Sequence, residues 1–490
     1  MKQLRILLAG AAVALGLSAG AQDPWLHIQP TSGTLTSYDM TEVLDVTFDE
    51  TTGTMTVNKA DGTADDFFAS AIKHFKLGGN VPEIRVVTSE LVDEVYSKAI
   101  YLNGTLTLDT RGTAEDLEYP VKIRGRGNST WNYTKKPYRL KFDSKQRVLL
   151  PKKAKNFVLL ANYIDPSMMR NQVAFGFGKA INMPWIHHAY PVDFYFNDVY
   201  KGSYMLTEKV GFNNGSVNIK ASAEPTSIMF EIDCYDADAD EVAYDTQAYD
   251  TDNGYYLTAK IKDPDCPYQA EDSVKMWQQE WFDDLDQFMG VVATGDLSKI
   301  FEACDLESLV RYIMVFDLTC NQELNHPKSV YIYKTGGKYY FGPCWDFDWA
   351  FGYQPTYTAG SWWSTSPSYE NPLIGPSRDG GYHNDGYAGN FFRALCNNDT
   401  FLNRFREVWN DFYANGREQF WAEFEAYADM LEPSAYKQGS FHMQSYTDFR
   451  THVDELREWV ENRIEFINTD EKMGLWNDSD FDGTGGWYAW

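Results

Sequence analysis

The sequence predicts an α+β fold in which a β-rich first part precedes an α-helical C-terminal part. Strand-like runs bounded by Gly, Pro, Asn and Asp recur from residue 42 to residue 261. From residue 390 to residue 468, apolar residues instead recur at helical spacing. Residues 309–352 lie between these parts and combine a predicted helix, a hairpin and two groups of acidic residues.

Length, composition and charge limit the classes of function. A chain of 490 residues with 43% hydrophobic and 16% aromatic residues can form one large domain or two to three smaller ones. The formal net charge of −27 argues against nucleic acid or an anionic membrane surface as a partner. The six cysteines form no CxxC pair and the eight histidines show no ligand spacing, which argues against a zinc ribbon.

The N-terminus predicts export. Residues 1–21 combine Lys2 and Arg5 with an apolar run over 6–17 and small residues at 19–21, the pattern of a cleavable secretory signal peptide. After this segment, no apolar run approaches the ~20 residues of a membrane helix. We therefore expect a mature chain without a transmembrane helix that is secreted, periplasmic or on the cell surface.

Residues 22–79 are predicted to form a separate small β-rich module. The runs EVLDVTFD over 42–49 and TMTVN over 54–58 are separated by a turn at Gly53, which suggests a β-meander. This segment contains no reactive group of residues, so an attachment or export module is the expected role.

A locally basic stretch follows at residues 121–142, VKIRGRGNSTWNYTKKPYRLKF. Two strand-like runs flank a Gly-containing turn whose backbone N–H groups can form an anion-binding concavity. Lys136, Arg139 and Lys141 add cations beside it. One interpretation is a triphosphate-binding site with Lys136 or Lys141 on the phosphates. The other is a β-hairpin with a polar turn and solvated lysines.

Two further candidate residues lie between this stretch and the predicted central helix. Asp165 or Ser167 is expected to cap a helix in which Arg170 occupies the first turns and faces a ligand or bridges neighbouring loops. Glu208 ends a predicted hairpin. It could pair with a phosphate-binding lysine, as a Lys–Glu pair does in protein kinases, or be an exposed residue at a strand end.

The stretch 309–352 places acidic groups around a helix and a hairpin. Residues 309, 313, 316 and 320 fall at helical spacing, and the runs 329–334 and 338–341 flank a Gly-Gly turn. Glu323 and Asn325 lie between helix and hairpin, whereas Asp346 and Asp348 follow the hairpin among aromatic residues. Protein kinases place one acid to orient the attacking hydroxyl and a later Asp to bind Mg²⁺ in such an order. The alternative is that the two aspartates cap a turn.

Three segments are expected to lack regular structure. Residues 242–252 are acidic and predict a loop. Residues 353–390 are rich in Gly, Ser, Tyr and Trp without periodicity, and a loop of this length is usually functional. Residues 471–490 are rich in Gly, Asp and Trp and predict a loose C-terminal tail.

Three motifs together resemble the CotH kinase family, the spore coat protein H-like atypical secreted protein kinases. They are IRGRGNSTWNYTKKPYRLKF, NFVLLANYIDPSMMRN and LTCNQELNHPKSVYIYK followed by GPCWDFDWAFG, in that order. The resemblance covers about residues 80–470, which are predicted to be one CotH kinase-like domain. It implies an atypical protein-kinase-like, two-lobed fold with a β-rich first lobe and an α-helical C-terminal lobe. It further implies ATP and Mg²⁺ as cofactors and Ser or Thr hydroxyls of proteins as acceptors.

The resemblance also implies roles for individual residues. The family's catalytic acid is an Asp two residues after an Asn, and here Glu323 follows Asn321. Asp346 matches the metal-binding Asp, with Asp348 close behind it. Asn325 or Ser329 is expected to complete the metal ligands, and Lys136 or Lys141 to hold phosphate.

Two hypotheses of different class follow. The first is an exported, Mg²⁺-dependent protein kinase that acts on a protein substrate. The second is a non-catalytic cell-surface adhesion protein on a kinase-like scaffold, which binds a glycan or a protein partner. The presence of Glu at position 323, where the family has a catalytic Asp, favours this second hypothesis. Glycoside hydrolysis by paired carboxylates is weaker, because nothing in the Lys-rich motif calls for it.

Overall fold

The protein is described here by a computed structural model, and every structural statement refers to the residues that follow. They are 3–6, 25–31, 36–78, 81–111, 116–219, 226–233, 242–250, 255–264, 272–324, 327–352, 368–370, 372–374, 387–396, 398–438, 448–471 and 473–475. Most of the predicted signal peptide, most of the aromatic stretch 353–390, Asn325 and nearly all of the C-terminal tail lie outside these residues.

The chain divides into two compact units. The first consists of Met1–Pro166, Ala189–Thr207 and Glu425–Thr451. The second consists of Ser167–His188, Glu208–Phe424 and His452–Trp490. Each unit is assembled from segments distant in sequence, so neither corresponds to one continuous stretch of chain.

The N-terminal strands of the first unit form two small antiparallel sheets. These strands are β1 Gln3–Ile6, β2 Trp25–Pro30, β3 Thr36–Asp39, β4 Val43–Asp49, β5 Thr54–Lys59, β6 Ala64–Phe68 and β7 Ile72–Gly78. One sheet has the order β1-β4-β5-β6 and the other β3-β2-β7. The predicted strands at 42–49 and 54–58 are confirmed as β4 and β5. Gly53 lies in the turn between them with a φ of 66°, a conformation that glycine adopts at no steric cost.

The remaining strands of the first unit close into a barrel. They are β8 Glu83–Thr88, β9 Leu102–Asp109, β10 Leu117–Gly125, β11 Tyr138–Gln146, β12 Ala154–Leu160, β13 Tyr190–Phe196 and β14 Val199–Glu208. The order around the barrel is β10-β11-β12-β14-β13-β8-β9. Sequence alone predicted strands here but not closure, because closure depends on the parallel pairing of β8 with the distant β13. The interior is apolar, with residues such as Ile84, Ile123 and Phe157 fully buried.

The second unit contains a five-stranded sheet and most of the helices. Its strands are β15 Ser227–Ile232, β16 Ala243–Asp250, β17 Tyr255–Asp263, β18 Val330–Thr335 and β19 Lys338–Phe341, in the order β16-β17-β15-β18-β19. The expected loop at 242–252 is therefore wrong, because β17 pairs its backbone with β16 along most of that segment. The polar sequence misled because β16 is an edge strand, where charged residues are tolerated.

Helices fill most of the rest of the second unit. They are α1 Arg170–Ala180, α2 Asp272–Ala293, α3 Leu297–Ala303, α4 Leu306–Thr319, α5 Tyr387–Cys396 and α6 Asp399–Asp411. Two more, α7 Arg417–Gln438 and α8 Phe449–Thr469, contain boundaries between the two units. The predicted mixed α+β class and its helical C-terminal part are confirmed. Within the described part of the chain, no helix is both long and apolar enough to span a bilayer.

Helix α4 and the hairpin after it form as the sequence predicts. The Asp305 side chain caps α4 by accepting from the Ser308 backbone N–H at 2.7 Å. The helix ends at Cys320, which has a left-handed φ of 45°. Strands β18 and β19 then pair across Gly336 and Gly337.

A fully buried ion pair ties α4 to α8. Arg463 Nη2 lies 2.7 Å from Asp317 Oδ1, and both side chains are inaccessible to solvent. Arg463 also donates to the backbone oxygens of Tyr369, at 2.6 Å, and Gly474, at 3.4 Å. Burial raises the pKa of Asp317 to about 7, and the Arg463 charge opposes that rise. The expectation of a loose tail is thus wrong for residues 473–475, where Leu475 is buried.

Removal of Arg463 alone should destabilise the second unit strongly. Arg463→Met leaves the Asp317 carboxylate buried without its cation, which we expect to cost about 3–5 kcal/mol in the free energy of unfolding. The double variant Arg463→Met/Asp317→Leu removes both charges and should recover part of that loss. Urea unfolding of the three proteins, followed by tryptophan fluorescence, measures the difference. A double variant no more stable than Arg463→Met would contradict this view of the pair.

Candidate functional site

One amide side chain joins the two acidic segments of the second unit. Asn321 follows the left-handed end of α4, and its backbone N–H donates to the Phe316 carbonyl at 3.0 Å. Its side-chain Nδ2 donates to the backbone oxygen of Asp346 at 3.1 Å. Its Oδ1 accepts from the backbone N–H of Glu323 at 3.1 Å. The segment after the helix and the segment after the hairpin are therefore fixed to each other.

Glu323 is a buried carboxyl group beside other charges. Its residue is 2% exposed, and its Oε1 lies 3.2 Å from Lys328 Nζ. Burial raises the pKa of Glu323 to about 8, with repulsion from Asp346 and Asp348 adding to the rise and Lys328 opposing it. The Oε2 atom is buried and has no hydrogen-bond partner among the described residues. One oxygen of this acid is thus anchored and the other is unsatisfied.

Hydrogen bonds hold both aspartates after the hairpin. Ser329 Oγ donates to Asp346 Oδ2 at 3.1 Å, and both residues have a left-handed φ, 52° and 66°. Such a φ is uncommon for non-glycine residues and costs free energy that the surrounding contacts must offset. The Asn171 side chain donates to Asp348 Oδ1 and accepts from the Phe347 backbone N–H at 2.8 Å. Both carboxylates remain partly exposed, unlike Glu323.

Arg170 anchors the loop that carries the aspartates. Its Nη1 donates to the backbone oxygens of Ala350, at 2.6 Å, and Phe351, at 3.3 Å. The Phe351 N–H in turn donates to the Thr319 carbonyl at the end of α4, at 2.7 Å. Of the two roles that the sequence left open for Arg170, a bridge between segments is therefore confirmed. A ligand contact for this side chain stays a prediction.

Aromatic residues pack beneath the acidic loop, as the sequence suggested. Phe347 is fully buried, with its ring centroid 5.3 Å from that of Phe316 and 6.4 Å from that of Phe175. Trp345 lies 6.2 Å from Phe175 by the same measure. Because Asp346 and Asp348 alternate with buried aromatic residues, packing of the rings directs the carboxylates away from the core.

Glu208 lies in the second unit and is completely buried, so the exposed strand-end interpretation is wrong. Its Oε2 accepts from the His188 backbone N–H at 2.9 Å, and its Oε1 lies 2.8 Å from His188 Nδ1. Both oxygens are thus in contact with His188. Pairing of Glu208 with a phosphate-binding lysine stays a prediction.

The predicted phosphate-binding cations belong to the barrel of the first unit. Strands β10 and β11 pair across the basic motif, so the hairpin is confirmed. Lys136 Nζ donates to the Trp131 carbonyl at 2.9 Å and lies 4.9 Å from the Trp131 ring centroid. Arg139 Nη2 donates to Asn156 Oδ1 at 3.1 Å, and Lys141 is exposed beside Tyr101.

A neighbouring lysine has a different environment. Lys135 is 2% exposed, and its Nζ donates to the carbonyls of Ala161, at 2.7 Å, and Ser203. Burial lowers the pKa of Lys135 well below its usual value, and Asp193 opposes the change. The sequence offered no signal that separates this lysine from Lys136, because burial depends on strands that meet only in the folded barrel.

The structure assembles part of the predicted metal site. Asp346 and Asp348 lie in one loop near Glu323, whereas Asn325 is outside the described residues. Within the described ranges, no three His, Cys, Asp or Glu side chains gather closely enough to hold a metal ion. Mg²⁺ commonly takes only one or two carboxylates and fills its remaining positions with water and phosphate oxygens.

This arrangement of helix, hairpin and acidic loop lies within a recognised family domain. The family model described as CotH kinase protein matches residues 123–467, well over half of the chain. The chain therefore belongs to the CotH kinase family, and the resemblance inferred from its motifs is confirmed. A search of curated proteins found no match.

The burial of His187 should make the free energy of unfolding of the second unit depend on pH. It is 2% exposed and packs against Trp345, with ring centroids 5.1 Å apart. Burial lowers its pKa to about 4, with Glu208 opposing the change. An unfolded His binds a proton near pH 6.5, so the free energy of unfolding should fall as the pH drops from 6.5 towards 4. This one group should cost about 2 kcal/mol by pH 5.

The matched variant is His187→Phe, which keeps an aromatic ring but cannot titrate. Its free energy of unfolding in urea should change less between pH 7 and pH 5 than that of the wild type. An identical pH dependence in the two proteins would show that His187 does not stay neutral in the fold.

Proposed function

We propose that this protein is an exported CotH-like protein kinase. In this proposal it transfers the γ-phosphoryl group of ATP to Ser or Thr hydroxyls of protein substrates, in a reaction that requires Mg²⁺. The observation that supports it most is the Asn321 side chain, which joins the Glu323 and Asp346 segments by two hydrogen bonds of 3.1 Å. A buried acid is thereby kept beside two partly exposed carboxylates, the set of groups that phosphoryl transfer needs.

Glu323 would orient the acceptor hydroxyl in this proposal. Its Oε1 is held by Lys328, and its unsatisfied Oε2 can accept the hydrogen bond of a substrate hydroxyl. Glu is one methylene longer than the Asp usual in the family. The hydrogen bond from the Glu323 backbone N–H to Asn321 Oδ1 fixes the backbone from which this longer side chain extends.

Asp346 and Asp348 would hold the cation, with Asn325 as a further ligand. Their oxygens are hard donors of the type that Mg²⁺ prefers, and one oxygen of each is already oriented by Ser329 or Asn171. Bound Mg²⁺ supplies charge neutralisation at the phosphate oxygens. The chain's own contribution is to keep both carboxylates ordered and accessible.

The remaining assignments complete a kinase-like architecture. We propose the barrel as the first lobe and the helical part as the second, with Lys136, Arg139 and Lys141 on the nucleotide phosphates. Arg170 and Glu208 would act beside the nucleotide by fixing the segments that border it. Lys136 would have to give up its contact with the Trp131 carbonyl to reach a phosphate. The N-terminal segment 1–21 would direct export, so the protein substrate is expected outside the cytoplasm.

Phosphoryl transfer by the protein lacking residues 1–21, with radiolabelled ATP and a generic protein acceptor, tests this function. Glu323→Gln keeps the size of the side chain but removes its basicity, and we expect a loss of about 100-fold or more in rate. Asp346→Asn should reduce Mg²⁺-dependent incorporation by a similar factor. Asp283→Asn is the matched control, since Asp283 is exposed on α2.

Absence of Mg²⁺-dependent incorporation in the wild type, or incorporation unchanged by Asp346→Asn, would contradict the proposal. A protein that instead bound only a polysaccharide or a surface protein in calorimetry would be the adhesion protein of the alternative hypothesis.

A further inference from the structure

A third pair of opposite charges is buried in the second unit, in its five-stranded sheet. Lys260 Nζ, on β17, lies 3.7 Å from Asp233 Oδ2, just after β15, and the two side chains are 3% and 2% exposed. Two residues along each strand, Lys262 Nζ lies 2.8 Å from Glu231 Oε2. Tyr331 on β18 donates to Glu231 Oε1 at 2.6 Å. Three neighbouring strands therefore contribute one polar face.

The other face of the same strands is apolar. Residues that alternate with the polar set are Phe230, Ile232, Ala259, Ile261, Val330 and Ile332, all buried. The Phe230 ring packs on Phe282 of α2, with centroids 5.9 Å apart. Side chains alternate between the faces of a sheet, so the polar set lies on the face opposite α2. Helix α2 therefore does not pack on the polar face of the sheet.

Strand register puts the Lys260–Asp233 pair at the end of the sheet where the acidic site lies. The antiparallel strands β15 and β18 pair Ile232 with Val330, so Asp233, just after β15, and Ser329, just before β18, lie at the same end of the sheet. The Asp233 N–H donates to the Thr258 carbonyl at 3.1 Å, which fixes that end to β17. Ser329 is the residue that donates to Asp346. With strands spaced ~4.8 Å apart, Lys260 lies two strands, or about 10 Å, from the start of β18.

A buried ion pair of this kind requires an explanation. Removing two charges from water is costly, and apolar residues of similar volume are often at least as stabilising. A lysine held by a carboxylate beside a metal-binding acid is how protein kinases place the cation that contacts the nucleotide phosphates. Lys260 is paired with the Asp233 carboxylate and belongs to the same unit as Asp346. Lys136 and Lys141 belong to the other unit.

We infer that Lys260, positioned by Asp233, is a phosphate-binding cation of the nucleotide site. Its ligand is the triphosphate of a nucleotide whose metal ion is held by Asp346 and Asp348. This inference rests on the proposed function and deepens it, because it assigns phosphate binding to a residue outside the basic motif. Lys262 and Tyr331 support the pair through Glu231 and complete the polar face.

Covalent labelling identifies the lysine nearest the phosphates without altering the fold. An acyl-phosphate derivative of ATP transfers its acyl group to a lysine amine beside the bound triphosphate and releases ATP. Peptide mass spectrometry of the labelled wild-type protein should find Lys260 modified, and excess Mg²⁺–ATP should suppress the modification. Labelling of Lys136 or Lys141 without Lys260 would overturn the inference while leaving the proposed function intact.

Calorimetric titration with Mg²⁺ and a non-hydrolysable ATP analogue provides the second readout. Lys260→Met should weaken binding by about 10- to 100-fold, the effect of losing a hydrogen bond to a charged group. Lys334→Met is the matched control, since Lys334 lies at the other end of β18 and pairs with Asp284 of α2.

Because Lys260→Met leaves Asp233 buried without its cation, Lys260→Met/Asp233→Leu is titrated as well, and circular dichroism checks that each variant is folded. Folded variants that bind as tightly as the wild type would overturn the role of Lys260. A wild-type protein that neither binds the analogue nor reacts with the probe would overturn both the inference and the proposed function.

Discussion

The arrangement of the candidate site depends on the hydrogen bonds of one side chain, Asn321. Its amide nitrogen and oxygen hold the backbone at Asp346 and at Glu323, two segments separated by a complete hairpin. An amide is suited to this task because it donates and accepts at once without carrying charge. Its position is set by the left-handed end of α4, where Cys320 turns the chain and the Asn321 N–H still bonds to the helix.

The second unit contains several buried pairs of opposite charge. Glu323 with Lys328, Asp317 with Arg463 and Lys260 with Asp233 are opposite charges that are largely or wholly removed from water. Such pairs are weak sources of stability, although breaking one is strongly destabilising. The three pairs lie at α4, just before β18 and at the adjoining end of the sheet, in the unit where we propose the metal-binding residues Asp346 and Asp348. The Asp317–Arg463 pair joins α4 to α8. The Glu323–Lys328 pair follows α4, and the Lys260–Asp233 pair lies at one end of the five-stranded sheet.

Local patterns allowed much of the second unit to be predicted. Helix α4, the β18–β19 hairpin and the aromatic residues around Asp346 follow from periodicity, turn chemistry and capping, all of which act over a few residues. The grouping of Glu323 with Asp346 was likewise suggested by the order of these elements. Three local predictions failed. The polar segment of β16 pairs with the neighbouring β17, and residues 473–475 bond to the distant residues 373 and 374. Helix α1 begins after Met169, whose side chain makes no capping hydrogen bond, and not at Asp165 or Ser167.

Features that depend on distant contacts could not be predicted. Closure of the barrel requires β8 to pair with β13, more than a hundred residues away. The pairing of Lys260 with Asp233 follows from strand register, which no motif encodes. Lys135 looked like its neighbour Lys136 in sequence, yet it is enclosed by carbonyls of other strands. The charge pattern therefore predicted Lys136, Arg139 and Lys141, of which only Lys141 is exposed.

Binding of Mn²⁺, a paramagnetic substitute for Mg²⁺, tests the central claim most directly. Electron paramagnetic resonance reports the free Mn²⁺ concentration during a titration of the protein with and without a non-hydrolysable ATP analogue. If Asp346 holds the metal ion of a bound nucleotide, the analogue should strengthen Mn²⁺ binding, and Asp346→Asn should weaken the ternary complex by at least about tenfold. Mn²⁺ binding that ignores the analogue, or that is the same in Asp346→Asn and the wild type, would contradict it.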